Sequence, residues 1–328
     1  MKDIISLNEK TINDYLLRHV CPYMSFVTER VVRARRLSSA SAINTVFRVE
    51  LETNKGKKTL ILRQAADQAP DGTPMDPARQ EFEMKTLYYL QTILPVDTVA
   101  TVLAYDSGNH VMTLSDLGEG QTLEGHCLLG KIPMAAGGSL GRIMATIHGR
   151  TRGIGSDFFW NERINDALVQ YYFTPRIASA RTRAPRRVEE LWYQSKTRPK
   201  VLLCGNLTPA NILIQGRGRA HPINFEQSMV WDPSADLGLF VGTLLALTST
   251  SLKGRRSSVR MMNRFLEHYL ETMIVHGVQA SEVAEIEERA VRYAGVVLLG
   301  STGGSQVLEL GLRWLEQEES FSSAFKHL

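Results

Sequence analysis

The stretch VLLCGNLTPANILIQGRGRAHPINFEQ, residues 201–227, decides the fold. It reads as an apolar run, a polar loop, a strand, a Gly/Arg turn and a second short strand ending in Asn224-Phe225-Glu226. Directly after it, WDPSADLG at 231–238 leads into the most apolar run of the chain, Leu237 to Leu247. That run is bounded by Asp236 and by the polar residues 248–251, and it falls short of the roughly 20 apolar residues that a bilayer span needs. A buried helix is expected there.

Outward from this island, the two sides differ. On the N-terminal side, FVTERVVRARRL (26–37) and INTVFRVELET (43–53) alternate apolar and polar residues, and TLILRQA (59–65) follows the turn-like NKGKK. Three strands with short connections are expected. The turn-rich DQAPDGTPMDP then leads into ARQEFEMKTLYYLQTIL, where Leu87, Leu90 and Leu94 recur at helical spacing and Pro77 sits near the start. Glu83 lies four residues before Leu87, on the side of the apolar stripe. Two more strand-like runs, TVATVLAYD and HVMTLSDLG, flank the turn DSGN. From about residue 119 the pattern is mainly helical. SLGRIMATIHGR places Leu140, Ile143, Met144 and Ile147 on one face, 159–195 is helical with breaks at Pro175 and Pro185, and 258–274 and 281–299 are strongly periodic.

Composition narrows the class. The 328 residues are 43% hydrophobic and 22% charged, with a mean hydropathy of -0.15, as in an ordinary globular chain. The formal charge is +4 and the pI about 8.9. Residues 176–200 hold eight basic side chains against two acidic ones, a local +6, so the rest of the chain sums to -2. The excess belongs to one segment, which reads as a solvated charged face or a site for an anionic partner. Neither a nucleic-acid partner nor a membrane is expected. Cys21, Cys127 and Cys204 are too few and too scattered for a disulfide framework or a zinc site, and Lys2, Asp3, Glu9, Lys10 and Asp14 interrupt any signal-peptide core. A cytoplasmic setting is expected.

At the 201–227 island the sequence resembles the small-molecule kinases that share the protein-kinase fold: aminoglycoside phosphotransferases, choline kinases and methylthioribose kinases. Their signature is a catalytic loop close to HGDLxPxNIL, then IDFE, then GDPxxDL. The corresponding strings are CGNLTPANIL at 204–213, INFE at 223–226 and WDPSADLG at 231–238. DLGEG after the fifth strand resembles the hinge, and IMATIHG the family's helix ending in Leu-His. The resemblance implies an α+β, two-lobed protein-kinase-like fold with a small β-rich N-lobe, a mainly helical C-lobe and a cleft between them. The expected divisions are a helical segment 1–25, an N-lobe 26–117 and a C-lobe 118–328 carrying the catalytic-loop-like segment 204–226.

Residue by residue, the family's phosphotransfer chemistry is altered. The loop carboxylate that accepts the acceptor's proton is replaced by Asn206, a neutral amide that takes no proton. Asn211 retains the loop's second metal ligand, but the magnesium-binding acid is Asn224. Magnesium prefers anionic oxygen ligands, so two amides weaken its site. The phosphate-contacting lysine aligns with Arg63, its carboxylate partner with Glu83, and the loop's first histidine with Cys204. The phosphate-covering turn, glycine-rich in the family, reads SSASAIN at 38–44, with Ser38 and Ser39 where backbone amides would approach a phosphate. Glu226, Asp232 and Asp236 are retained and suit architecture.

These changes imply a kinase-fold protein that has lost its ATP and magnesium apparatus. Its cleft is then reassigned to a small organic molecule, bound or transformed without phosphotransfer. Asn206, Asn224 and Cys204 are the candidate catalytic positions; Arg63, Glu83, Ser38, Ser39 and Asn211 are former nucleotide and metal positions. No cofactor and no resident metal is expected. Two other readings stand beside this one: an atypical ATP- and magnesium-dependent small-molecule kinase, and a regulatory or scaffold pseudokinase. The aromatic residues Phe158, Phe159, Trp160, Tyr171, Tyr172 and Phe173 suit either an acceptor pocket or core packing. His148, His221 and His268 lack ligand spacing, and AAGGSLGR at 135–142 lacks the ending of a phosphate loop.

Overall fold

The computed structural model describes residues 4–37, 43–154, 174–249, 252–302, 304–317 and 320–327. Ser38 and Ser39 of the candidate phosphate turn, and the aromatic residues Phe158, Phe159, Trp160, Tyr171, Tyr172 and Phe173, lie outside the described residues. By its contacts the chain divides into two compact units. One comprises the residues up to Thr92 together with Val99–Gly118; the other comprises Ile93–Thr98 and the chain from Glu119 onward.

The first unit begins with a short helix α1 (Ile12–Tyr15) that continues as single turns of wider and tighter helix to Tyr23. Strands β1 (Thr28–Arg36), β2 (Asn44–Thr53) and β3 (Gly56–Ala65), helix α2 (Arg79–Ile93), and strands β4 (Val102–Asp106) and β5 (Val111–Ser115) follow. The strands form one antiparallel sheet in the order β1-β2-β3-β5-β4. Alternate residues of a strand share a face. At that period β2 buries Phe47, Val49 and Leu51, which pack with Leu60, Leu62 and Val111 beneath Ile12, Tyr15, Leu16 and Val20 of the N-terminal segment. Tyr15 also donates its hydroxyl to Asp106 at 2.9 Å, fastening the segment to the β4 end.

The second unit is mainly helical: strand β6 (Gln121–Thr122), then helices α3 (Leu123–Leu128), α4 (Met134–Thr151), α5 (Thr174–Arg183) and α6 (Pro185–Thr197). Pro185 occupies the first turn of α6, where its missing N–H costs nothing. The island forms β7 (Val201–Leu203), β8 (Ile212–Gln215), β9 (Arg219–Pro222) and β10 (Met229–Trp231). β7 pairs with β10, and β8 is flanked by β6 and β9. β9 ends at Pro222, two residues before Asn224, so INFE is loop and not the strand end expected. Helices α7 (Ser234–Thr248), α8 (Leu252–Val275), α9 (Ala280–Leu299), α10 (Ser305–Glu316) and α11 (Phe321–Ala324) complete the unit.

The apolar run lies in α7, whose Leu237, Leu239, Phe240, Val241, Leu244 and Leu245 are buried on every side. A helix apolar all round occupies a core. No described helix is long and apolar enough to cross a membrane. The glycines of AAGGSLGR sit in α4 and serve packing. A Cβ on Gly137 or Gly141 would collide with the carbonyl oxygens of Met261 or Phe265 on α8, so these glycines set the close approach of the two backbones. The basic segment pairs with acids near and far in sequence: Arg181 with Glu189 at 2.9 Å, Arg187 with Glu190 at 2.9 Å and Arg198 with Glu285 at 2.8 Å.

The α4–α8 contact makes a paired prediction. Gly141→Ala forces backbone against backbone and should destabilise the chain by about 1–3 kcal/mol in urea unfolding. Gly304→Ala, at a position with open space around it, should stay within about 0.5 kcal/mol of the parent. Equal stabilities would contradict this packing.

Candidate functional site

The loop 204–211 hangs from one carboxylate. Asp236, in the first turn of α7, accepts the backbone N–H of Cys204 (2.7 Å, Oδ2) and of Gly205 (3.0 Å, Oδ1). His148 at the end of α4 faces the same carboxylate at 3.4 Å through Nε2 and holds Tyr269 of α8 at 2.8 Å through Nδ1. The carboxylate requires a donor, which places the imidazole proton on Nε2, so Tyr269 donates to Nδ1. Burial, joined by the nearby Asp232 and Asp236 charges, pushes the Tyr269 phenol well above its ordinary value, so its hydroxyl stays a donor. Gly205 has φ +74°, and a side chain there would collide with the carbonyl of Gln227. Glycine is obligatory at that corner.

Beyond Gly205 the loop closes on itself. Thr208 donates its N–H to the Asn206 carbonyl at 2.8 Å, and Asn211 donates its N–H to the Thr208 carbonyl at 2.9 Å, which shapes the single turn Pro209–Asn211. The Asn211 side chain donates through Nδ2 to the Asn206 carbonyl at 3.0 Å, and Ile223 N–H binds the Asn211 carbonyl at 2.9 Å. Asn224 takes a left-handed φ of +68°, a conformation asparagine tolerates, and donates through Nδ2 to Asn211 Oδ1 at 3.4 Å. The Asn211 and Asn224 side chains are therefore joined, and Asn211 ties them to the backbone of Asn206. The Asn206 carboxamide is half-buried and bonded to no described group.

Cys204 is 4% exposed, its sulfur 3.6 Å from Met144 Sδ. Burial, with the Asp236 charge adding to it, holds the thiol well above its ordinary value. Such a thiol is a packing group in the ground state and not a thiolate nucleophile. Asp232 is committed elsewhere: it receives Arg289 Nε at 2.8 Å and the Ser234 N–H and hydroxyl at 3.0 and 2.7 Å. Among the described residues no three His, Cys, Asp or Glu side chains gather as a metal site.

In the first unit, Arg63 of β3 and Glu83 of α2 form a buried ion pair at 2.6 Å, while Gln80 donates to the Arg63 carbonyl at 2.7 Å. Glu83 is thus a buried partner and more than the edge of an apolar stripe. Arg79, missed in the sequence, anchors the same region: it donates to Asn44 Oδ1 at 2.8 Å and to the Ala66 carbonyl at 2.7 Å. Its position one turn before Glu83 was the available signal. His148 and Tyr269 were likewise missed as loop supports, because they meet Asp236 only through tertiary packing.

No protein-family model matches the sequence, and no curated protein matches it. Solved structures share its fold. A choline/ethanolamine kinase family protein from Mesorhizobium loti superposes with a TM-score of 0.54 at 14% identity, over 88% of this chain and 84% of that one. The choline kinase LicA from Streptococcus pneumoniae gives 0.50 at 14% identity, over 94% and 98%. The chain has the two-lobed protein-kinase-like fold of the small-molecule kinases.

Two outcomes follow from the loop support. Asp236→Ala orphans two buried N–H groups, each worth about 1–3 kcal/mol, and should cost at least about 2 kcal/mol with faster hydrogen exchange at residues 204–205. Iodoacetamide should label Cys204 only after denaturation, read by peptide mass; labelling of the folded chain would contradict its burial.

Proposed function

We propose that this chain is a kinase-fold protein that does not transfer phosphate from ATP and magnesium, and that it binds or transforms a small organic molecule by hydrogen bonding. The reading is carried by the amides at 206 and 224, where the resemblance implies carboxylates: Asn224 Nδ2 donates to Asn211 Oδ1, and Asn211 Nδ2 donates to the Asn206 backbone carbonyl. By donor chemistry these residues do not fit a resident magnesium. Amide oxygens are neutral, and the dehydration of a small divalent cation calls for anionic oxygen. Asp232 is taken up by Arg289 and Asp236 by the loop amides, which leaves Glu226, buried two residues beyond Asn224, as the one acid of the 201–227 island.

What this arrangement supports is orientation and polarisation. The unbonded Asn206 carboxamide offers two N–H donors and one carbonyl acceptor to a ligand, but removes no proton from it. A ligand carbonyl or hydroxyl suits that inventory. Nucleic acid and membrane surfaces have no role in this reading, and neither does a nucleotide cofactor.

A second reading, an atypical ATP-dependent kinase, is supported by the buried Arg63–Glu83 pair at 2.6 Å, two residues that the resemblance aligns with the family's nucleotide-side ion pair. Arginine keeps the bidentate fork but lacks the compact ammonium.

Thermal unfolding separates the two. A protein holding Mg-ATP at about 100 times its Kd gains about 2.7 kcal/mol and melts measurably higher. The expected result is the same melting temperature with ATP plus magnesium as with ATP plus EDTA. A magnesium-dependent rise would overturn the first reading and establish the second.

A further inference from the structure

In the helical unit, helices α7, α8, α9 and α10 border a cavity of about 410 Å³. Binding sites for small molecules occupy about 300–1,000 Å³, so the space is of ligand size. Leu245 of α7 lines it nine residues beyond Asp236, about 14 Å along the helix, so it is distinct from the 204–211 loop. Its apolar wall is formed by Leu245, Leu298, Val307 and Leu310. Glu309 lies at the exposed rim, and two cations, Arg255 and Arg313, complete the charged lining.

Arg313 carries the argument. Its Nε and Nη2 are buried and find no hydrogen-bond partner among the described residues. Other buried guanidiniums are served: Arg79 by Asn44 and the Ala66 carbonyl, Arg289 by Asp232, and Arg292 by Gln194 at 2.8 Å. Nε and Nη2 form the guanidinium edge that takes a carboxylate side-on. Within this molecule Arg289 uses that edge on Asp232 (2.8 and 3.4 Å) and Arg152 uses it on Glu282 (3.1 and 2.6 Å). A charged donor left without an acceptor is costly, and an acceptor from outside the chain relieves the cost. Arg255 is already engaged, donating to the Ser249 carbonyl at 2.9 Å. The two arginines and Glu309 sum to +1, which matches a monoanion.

We infer that this cavity binds a small amphipathic monoanion, a carboxylate on a short hydrocarbon chain. Its carboxylate pairs with Arg313 as the guanidinium turns on its terminal torsions, and its chain lies along Leu245, Leu298, Val307 and Leu310.

Isothermal titration of the full chain with sodium octanoate tests this, with 1-octanol, octylammonium and octyl phosphate as matched-chain probes. Saturable binding of one octanoate is expected, with neither 1-octanol nor octylammonium binding comparably and octyl phosphate no tighter. Arg313→Met, which keeps the stem and removes the charge, should weaken octanoate by about tenfold or more. Val307→Trp, which fills the cavity without touching the charge, should do the same and decides the matter if Arg313→Met fails to fold. Absence of saturable binding, equal binding of 1-octanol, tighter octyl phosphate, or octanoate affinity unchanged in the folded variants would each overturn the inference.

Discussion

The Asp236 carboxylate is the constraint on which the loop depends. A carboxylate at 1% exposure is tolerated only where donors surround it, and here the donors are the backbone amides of Cys204 and Gly205 and the imidazole of His148. Its place in the first turn of α7 adds the favourable end of the helix dipole. The satisfaction is mutual, because the two amides are equally buried and have no strand partner. Holding both goes with the left-handed corner at Gly205, beyond which Asn206 is half-buried. The contact runs through the backbone N–H of Cys204 and not through its side chain.

The loop is joined by neutral groups at two half-buried positions. Asn224 Nδ2 donates to Asn211 Oδ1, and Asn211 Nδ2 donates to the backbone carbonyl of residue 206, a bond that the side chain at 206 does not decide. Amides carry both halves of a hydrogen bond, which carboxylates do not. The left-handed φ at Asn224 adds a local reason for asparagine, one of the few residues that accepts this conformation. Thus the electrostatic and the conformational demands at 224 point to the same residue.

Much of this was legible locally. Strand alternation in β2 and β3, the period of α4, α8 and α9, and the uniform apolarity of α7 are signals within a single window, and the structure follows them. The ordered strings at 204–213, 223–226 and 231–238 placed the loop. What escaped was nonlocal or too short to have a period. β10 has three residues and exists through its pairing with β7, and no helix is expected from the sequence at α10 or α11 although Trp314 of α10 is fully buried. Helical periodicity alone puts Glu83 at the edge of the apolar stripe, because its partner Arg63 lies twenty residues away on β3; only the resemblance pairs the two. The glycines of α4 looked like a failed phosphate loop because the backbones they admit belong to a helix more than a hundred residues downstream.

α7 ties these observations into one physical account. Most of this helix is buried, with only Thr243, Ala246 and Leu247 half-exposed on one face, and its glycines bring it against α9: a Cβ on Gly238 would lie 2.7 Å from the Ala290 carbonyl, and one on Gly242 3.0 Å from that of Ala294. It is a rigid rod, and rigidity at one end is available at the other. Its first turn positions the amide loop through Asp236; its last turns supply Leu245 to the cavity wall and Ser249 as the acceptor that engages Arg255. Two features with different chemistry, a neutral polar loop and a cationic apolar cavity, are therefore built on the same element. What they share is a helix held by close-packed apolar side chains, with its buried polar groups Ser234, Asp236 and Thr248 each hydrogen-bonded.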